Sequence, residues 1–497
     1  MDVLLSSISE VFTPFVILLM VLGVFIGLIF GTVPGLTSTM GMALFVPFTF
    51  TLEPIQGISF LICLHLGGVS GGLVASTLLG IPGTPSSIAT TFDAYPMAKN
   101  GEPVRALGIG IVASLVGGLL SFIALITVSP LISSFAVQMG PFEFFCTYLF
   151  LALSLLAVLA QGSMLKGITA GFIGLAIGMV GFAPVDGLER YTFGVLELKG
   201  GISLLPLIMG LFAIAQILSE IRAGDQRKDM NFSVRGIGIK FAEFLANKWN
   251  LLRSSLIGIA FGILPGLGSG TSNLVAYAQT KQASKDKKKF GKGAPEGIYA
   301  SESANTAATG GSLIPMLTLG IPGDTVTAIL LGGFMIHGIQ PGPLFFAENR
   351  DIVNVVFIAF FRRYFSCSAF SVFAMRFFTR VLMVPKEYLF PVILVLCFIG
   401  AFATNTSSFD IGVMLFFGVV GYILLRSRFP IAPLILGFIL GPLLETYLRR
   451  AMSTGDVTDF FTKPFSAIFI IIGLACVVYT LIHEVRSKKS ESESIGM

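Results

Sequence analysis

Four short stretches of this 497-residue chain combine a proline–glycine pair with a cluster of hydroxyl side chains. They are GTVPGLTST at 31–39, GIPGTPSS at 80–87, GILPGLGSGTSN at 262–273 and GIPGDTVT at 320–327. Proline ends a helix and frees carbonyls, and glycine lets the backbone turn and approach closely. An apolar run after such a turn starts a new half-helix, whose N-terminal amides and positive dipole end face the break. The residues placed there are Pro34, Gly35, Thr37, Ser38 and Thr39; Gly83, Thr84, Ser86, Ser87 and Thr90; Pro265, Gly266, Ser269, Thr271, Ser272 and Asn273; and Gly323, Asp324, Thr325 and Thr327. Rich in hydroxyls and free of Arg and Lys, they suit an oxygen-rich anion, and carboxylates and phosphates both fit. The competing reading is that Gly, Ser and Thr merely allow tight helix packing in lipid.

Acidic side chains in apolar surroundings are the second chemical signal. Glu302 and Asn305 stand in ASESANTAATGG ahead of the last turn, Asp324 just after it, and Asp93 and Asp410 in other apolar stretches. A carboxylate among hydroxyls and free carbonyls could coordinate Na⁺ at the hairpin tips or exchange a proton. Asp324, Glu302 and Asp93 are therefore the ion-coupling candidates. For Glu302 and Asp93 the alternative is a helix cap at a loop edge. A third signal competes with these: GVSGG at 68–72 fits G-x-S-x-G and makes Ser70 a candidate intramembrane nucleophile, with His65 or His337 as base. Glycine-rich membrane helices produce such matches readily, and nothing supplies a third catalytic member.

The elements that must position these groups are set by composition. Hydrophobic residues make up 54% and charged residues 12%, with mean hydropathy +0.88. A soluble domain carries about 25% charged residues. The apolar runs recur from 11 to 483 without a soluble block, which excludes a cytoplasmic enzyme, a disulfide scaffold and a nucleic-acid binder. The five Cys lie in apolar runs without C-x-x-C spacing, and three His are too few for a histidine metal cluster. The N-terminus has no basic region and no A-x-A site, so no cleaved signal peptide is expected.

A spanning helix needs about 20 apolar residues. Candidates without interruption are 106–131, 142–161, 164–184, 203–221, 389–404, 411–425, 431–444 and 465–482. Between 11 and 96, and between 251 and 341, Pro-Gly and Ser/Thr clusters break the apolar runs. Basic residues flank 251–280 on both sides, from Arg222 to Lys240 before it and from Lys281 to Lys292 after it. If both flanks are cytoplasmic, that segment enters the membrane and returns as a hairpin with Pro265-Gly266 at its tip. Residues 237–250, with Trp249, read as an amphipathic lead-in lying at the membrane interface. The lysine run itself reads as a solvated loop. Arg486, Lys488 and Lys489 place the C-terminus inside, and Asp2 and Glu10 suit an outside N-terminus. Arg449 and Arg450, in a loop assigned to the outside, disagree with this count.

The motifs recur in order. GLIFGTVPGLTS at 27–38 matches GIAFGILPGLGS at 258–269 in seven of twelve positions, offset 231. LLGIPGT at 78–84 matches TLGIPGD at 318–324, offset 240. Acidic residues flank the first hairpin and basic residues the second, so the copies are expected to face opposite ways. Inverted repeats with discontinuous helices belong to secondary transporters, with the site where the repeats meet. The expected fold is an all-α polytopic membrane protein of two inverted-topology repeats, 1–235 and 236–464, with re-entrant or discontinuous hairpins. An extra membrane helix at 465–484 and a cytoplasmic tail at 485–497 follow.

Together with GTVPGLTSTMGMALFVPFTF, GIPGTPSSIATTFDAYPMAKNGEPVRAL, APEGIYASESANTAATGGSLIPMLTLGIPGDTVTAILLGGFMIHGIQPGP and FPIAPLILGFILGPLLE, these motifs resemble the large membrane subunit of tripartite tricarboxylate transporters over about 11–483. The resemblance implies a bacterial inner-membrane permease with about twelve membrane segments. Its partners would be a small four-helix membrane subunit and a periplasmic binding protein that delivers the substrate. Substrates would be citrate-like tricarboxylates and other carboxylates, with uptake driven by a Na⁺ or H⁺ gradient. No cofactor or ATPase is implied, which agrees with the missing G-x-x-x-x-G-K-[ST] motif, and similar carriers with paired hairpins suggest an elevator motion. The stretch around Arg362 and Arg363 departs from the plain apolar helix the family pattern leads one to expect.

Overall fold

Lipid offers no hydrogen bonds, so a chain this apolar must satisfy its own backbone, and it does so in helices. The computed structural model describes residues 10–33, 35–158, 164–223, 241–265, 268–362, 386–475 and 478. In chain order the helices are α1 Pro14–Thr32, α2 Ser38–Phe45, α3 Pro54–Leu79, α4 Ile88–Lys99, α5 Pro103–Ala136, α6 Pro141–Val158, α7 Met164–Gly178 and α8 Leu204–Ile221. The rest are α9 Lys248–Ile263, α10 Gly268–Ala283, α11 Pro295–Leu319, α12 Thr325–Ile336, α13 Lys386–Asn405, α14 Ser408–Arg426 and α15 Ile431–Thr454. Among the described residues, seven helices are long and apolar enough to cross a membrane, and four shorter apolar helices accompany them. The protein is an all-α polytopic membrane protein.

The second hairpin has arms of 16 residues each, α9 and α10. At 1.5 Å per residue each reaches about 24 Å, short of a hydrocarbon core of about 30 Å. In the first hairpin α1 has 19 residues, whereas α2 has eight and gives way to a 3-10 turn at Pro47–Thr51. One expectation needs correcting. Residues 54–79 form one unbroken helix of 26 residues straight through the GGVSGG run, and 295–319 form another of 25. Glycine weakens a helix where the backbone is exposed, but α3 and α11 are enclosed by protein along nearly their whole length. There the glycines serve close packing instead.

That packing follows the sequence repeat. A Cβ on Gly31 would run into the Gly68 carbonyl on α3, and one on Gly262 into the Ala308 carbonyl on α11. Gly83 and Gly323 pack in turn against the carbonyls of Gly31 and Gly262. Backbones this close gain dispersion contacts that any larger side chain would forfeit. The long helices α3 and α11 thus carry α1 and α9 on equivalent faces. The remaining arms cross over: α2 packs on α12, while α10 packs on α4 and on the turn at Pro85–Ser87. Each hairpin therefore meets the turn-and-helix unit of the other half.

Further out, α15 lies along α7 and α14 along the π-helical segment Met209–Ile214 of α8. A two-stranded hairpin, Gly181–Phe182 with Glu189–Arg190, projects between α7 and α8. It is fixed by ions: Arg190 Nη1 lies 2.7 Å from Glu445 Oε1, Arg449 Nη2 lies 2.9 Å from the same oxygen, and Arg449 also bonds Asp186. Arg449, one of the two arginines that disagree with the charge count, is thus paired with acids on both sides.

Two outcomes are expected. Gly262→Val should cost about 1–3 kcal/mol through overpacking and lower the midpoint of thermal unfolding in detergent. Gly412→Ala, facing open space in α14, should not; equal midpoints would refute the close approach. Arg449 also holds the Asp186 carboxyl below its ordinary value of 3.8. That pair contributes fully above the ordinary value and is lost as pH falls through the lowered one. Hydrogen exchange at 182–200, corrected for intrinsic rate, should be constant near neutrality and accelerate below about pH 4. Arg449→Ala should give the fast exchange at neutral pH, and unchanged exchange there would refute the clamp.

Candidate functional site

The two GIPG turns are built alike. Gly80 and Gly320 end α3 and α11 with φ of 66° and 69°, the left-handed conformation that glycine adopts without strain. Beyond the second turn, Asp324 caps α12: Thr327 N donates to Asp324 Oδ1 at 2.8 Å, and Asp324 N donates to Thr327 Oγ1 at 2.9 Å. Beyond the first, Thr84 N donates to Ser87 Oγ at 3.2 Å, and Ser87 Oγ returns a bond to Thr84 O at 2.9 Å. Thr84 Oγ1 and Ser86 Oγ lie 2.9 Å apart. Local hydroxyls thus satisfy part of each break.

The second hairpin tip lies between these turns. A Cβ on Gly268 would sit 3.5 Å from that of Asp324, and one on Gly270 would sit 3.6 Å from the Pro85 carbonyl. Asn273 Nδ2 donates to Ser86 O, joining α10 to the first turn. Ser272 Oγ bonds Ser269 O at 3.0 Å and reaches Ala304 O of α11 at 3.5 Å. Pro265 is buried, Ser269, Thr271 and Thr325 are partly exposed, and Gly266 and Pro34 lie outside the described residues.

Four buried side chains on α3, α10 and α11 have unused hydrogen-bonding atoms: Asn273 Oδ1 on α10, both amide atoms of Asn305 and Thr306 Oγ1 on α11, and Thr77 Oγ1 on α3. None is more than 1% exposed. The Asn305 amide lies beside the Glu302 carboxyl without a hydrogen bond of good geometry. An unmet buried polar group costs about 1–3 kcal/mol, so several together fit a site that a polar ligand completes. The set mixes donors and acceptors and contains no Lys or Arg, which suits carboxylate and hydroxyl oxygens.

The first hairpin tip has different surroundings. Thr37 caps α2, accepting from Met40 N at 3.1 Å; Ser38 packs against Gly68; and Thr39 is partly exposed. Gly35 has φ of 90°, and a Cβ there would collide with the Glu220 carboxylate. Sequence reasoning missed Glu220; its only signal is an acid closing the apolar run 203–221.

The acids fall into three settings. Glu302 is fully buried on α11, with Thr90 Oγ1 of α4 at 2.5 Å from Oε1 and Ser114 Oγ of α5 at 3.3 Å from Oε2. Asp324 is the cap described above, its Oδ1 bonded within its own turn. Asp93 is a clasp: its Oδ1 takes the amides of Gly291, Gly293 and Ala294 at 2.8, 3.0 and 2.8 Å, and Tyr277 Oη donates to Oδ2 at 2.9 Å. Four donors on one carboxylate tie α4 to the loop after the lysine run. Asp410 accepts from Asn405 Nδ2 at 2.7 Å, away from the turns. Ser70 Oγ donates to the Leu66 carbonyl one turn back, and His337 Nε2 lies 3.2 Å from Thr49 Oγ1. Nothing observed supports hydrolytic chemistry at Ser70.

Comparison with known proteins covers most of the chain. The family model described as "Tripartite tricarboxylate transporter TctA family" matches residues 17–436. A protein of Agrobacterium vitis named "Uncharacterized 52.8 kDa protein in TAR-I ttuC' 3'region" is 34% identical over 494 residues, covering 98% of both chains. A second from the same organism, "Uncharacterized protein in TAR-II ttuC' 3'region", is 38% identical over 236 residues, 47% of this chain and 98% of its own. No solved structure matches.

The Asp93 clasp makes a prediction of its own. Asp93→Ala strips the acceptor from three amides at about 1–3 kcal/mol each and should speed tryptic cleavage within 281–292. Tyr277→Phe, which leaves the amides bonded, should have a smaller effect. Equal cleavage of Asp93→Ala and the native chain would rule out the clasp.

Proposed function

This chain belongs to the tripartite tricarboxylate transporter TctA family, and from that premise we propose that it takes up small citrate-like polycarboxylates by secondary active transport. Membership makes it the permease of a tripartite system, whose other parts are a binding protein and a small membrane subunit. The finer reading is our own. The chain sits in the bacterial inner membrane with its N-terminus periplasmic and its C-terminus cytoplasmic. Two inverted repeats, 1–235 and 236–464, bind the substrate where they cross, and a Na⁺ or H⁺ gradient drives uptake.

The observation that carries this reading is the buried amide and hydroxyl set of Asn273, Asn305, Thr306 and Thr77, with hydrogen-bonding atoms unused. Asn273 lies where the second hairpin meets the first GIPG turn, so a ligand bound by it would touch both. The matched contacts of Gly31 and Gly262 support the repeat. Transporters bind at such interfaces because relative motion of the repeats then exposes one site to each side in turn. Hydroxyls, amides and half-helix N-termini suit a carboxylate that must also be released, since the set contains no Lys or Arg.

The test is uptake of labelled citrate into membrane vesicles containing this chain and its two partner subunits. Concentrative, gradient-dependent uptake is expected, lost in Asn273→Leu and Asn305→Leu and retained in Ser70→Ala. No concentrative uptake of any carboxylate tried would refute the function.

A further inference from the structure

Thr90 Oγ1 on α4 lies 2.5 Å from Glu302 Oε1 and 3.1 Å from Ser301 Oγ, both on α11. A hydroxyl has one proton to give. Ser301 Oγ also lies 3.3 Å from the Ile298 carbonyl, so its proton has two acceptors within reach, that carbonyl and Thr90. If Glu302 is ionised, Thr90 must donate to it, and the contact between Thr90 and Ser301 then runs from Ser301 to Thr90. If Glu302 carries a proton, one directional chain fills every contact: Glu302 to Thr90, Thr90 to Ser301, Ser301 to Ile298. Ser114 donates to Oε2 in either state.

The surroundings supply no counter-charge. Asp93 on α4 is held by the 291–294 loop and Tyr277 of α10. Arg105 at the start of α5 pairs with Glu102 and Glu243. Arg253 on α9 bonds Thr280 and Asn250. On α11 itself Glu296 pairs with Lys289, and Tyr299 is buried. On α3 the titratable groups are Cys63 and His65, both buried. Among the described residues no cation pairs with Glu302, and an isolated ionised carboxylate is strongly disfavoured away from water.

We propose that Glu302 is the proton-carrying group of this transporter and that the coupling ion is H⁺. This rests on the carrier reading above and selects between its two ions. Uptake forms an O–H bond at Glu302 Oε1 with a proton from water on one side of the membrane; release returns that proton to water on the other. Because Thr90 follows the first GIPG turn and Glu302 precedes the second, loss of the proton reverses the Thr90 hydroxyl and with it the direction of its bond to Ser301. Protonation is thereby linked to the contact between α4 and α11. Thr90 acts as a positioning residue.

Two measurements test this on the chain with its accompanying membrane subunit. In lipid nanodiscs at neutral pH, infrared spectra should show a protonated carboxyl C=O band that Glu302→Gln removes and Thr90→Val shifts. Identical spectra for Glu302→Gln and the native chain would overturn the proposal. In proteoliposomes supplied with the binding protein, Glu302→Gln, which keeps the size and the Thr90 contact, should lose citrate uptake driven by a pH gradient yet retain citrate–citrate exchange. Gradient-driven uptake retained in Glu302→Gln, or native uptake that responds to Na⁺ alone, overturns the proposal and leaves the carrier reading standing. A native chain that neither concentrates nor exchanges any carboxylate overturns both.

Discussion

A helix that stops inside a membrane leaves amides and carbonyls where water cannot reach them, and every such stop must be satisfied locally or by a ligand. This chain stops helices at four places that share a Pro-Gly signature. At the two GIPG turns the first demand is met from within, by Ser87 on Thr84 and by Thr327 on Asp324. The first turn is also served across the molecule, by Asn273 of the second hairpin donating to Ser86 O. Asn273, Asn305, Thr306 and Thr77 are among the buried side chains left with unused atoms. Interiors rarely tolerate a group of unmet polar atoms, and a site that alternates between occupied and empty is a setting in which they are expected.

The stops can lie so near one another only because glycine lets the supporting helices touch backbone to backbone. Gly31 on Gly68 and Gly262 on Ala308 bring α1 to α3 and α9 to α11. The shorter arms then cross, α2 to α12 and α10 to the Pro85–Ser87 turn. A ligand at the crossing contacts elements from both halves, which is the geometric requirement for coupling binding to their relative movement. Glu302 sits one turn from Asn305 on the same helix, so the proposed proton site and the proposed ligand site share α11.

Much of this was legible in the residues. The Pro-Gly and hydroxyl clusters located all four stops, and the two offsets anticipated which glycines would make equivalent contacts. Other features were not legible, for identifiable reasons. Residues 11–96 were read as broken by Pro-Gly and Ser/Thr clusters, yet α3 runs unbroken for 26 residues, because sequence does not say whether its small residues face lipid or a neighbouring carbonyl. Asp93 was read as a coupling acid, while its donors are backbone amides about 200 residues away that no side-chain pattern reveals. The capping role of Asp324 was encoded by Thr327 three residues on. Ser114 and Glu220 carry no motif, and only the packing of α5 on α11 and of α8 on the first tip brings them into play.

The central claim is that a carboxylate completes the unmet hydrogen bonds between the second hairpin and the first GIPG turn. An experimental structure of the complex in saturating citrate tests it most directly. The account predicts ligand density bonded to Asn305 and Asn273, beside the Thr84–Ser87 turn. Citrate bound elsewhere, with both amides paired to protein, would contradict it.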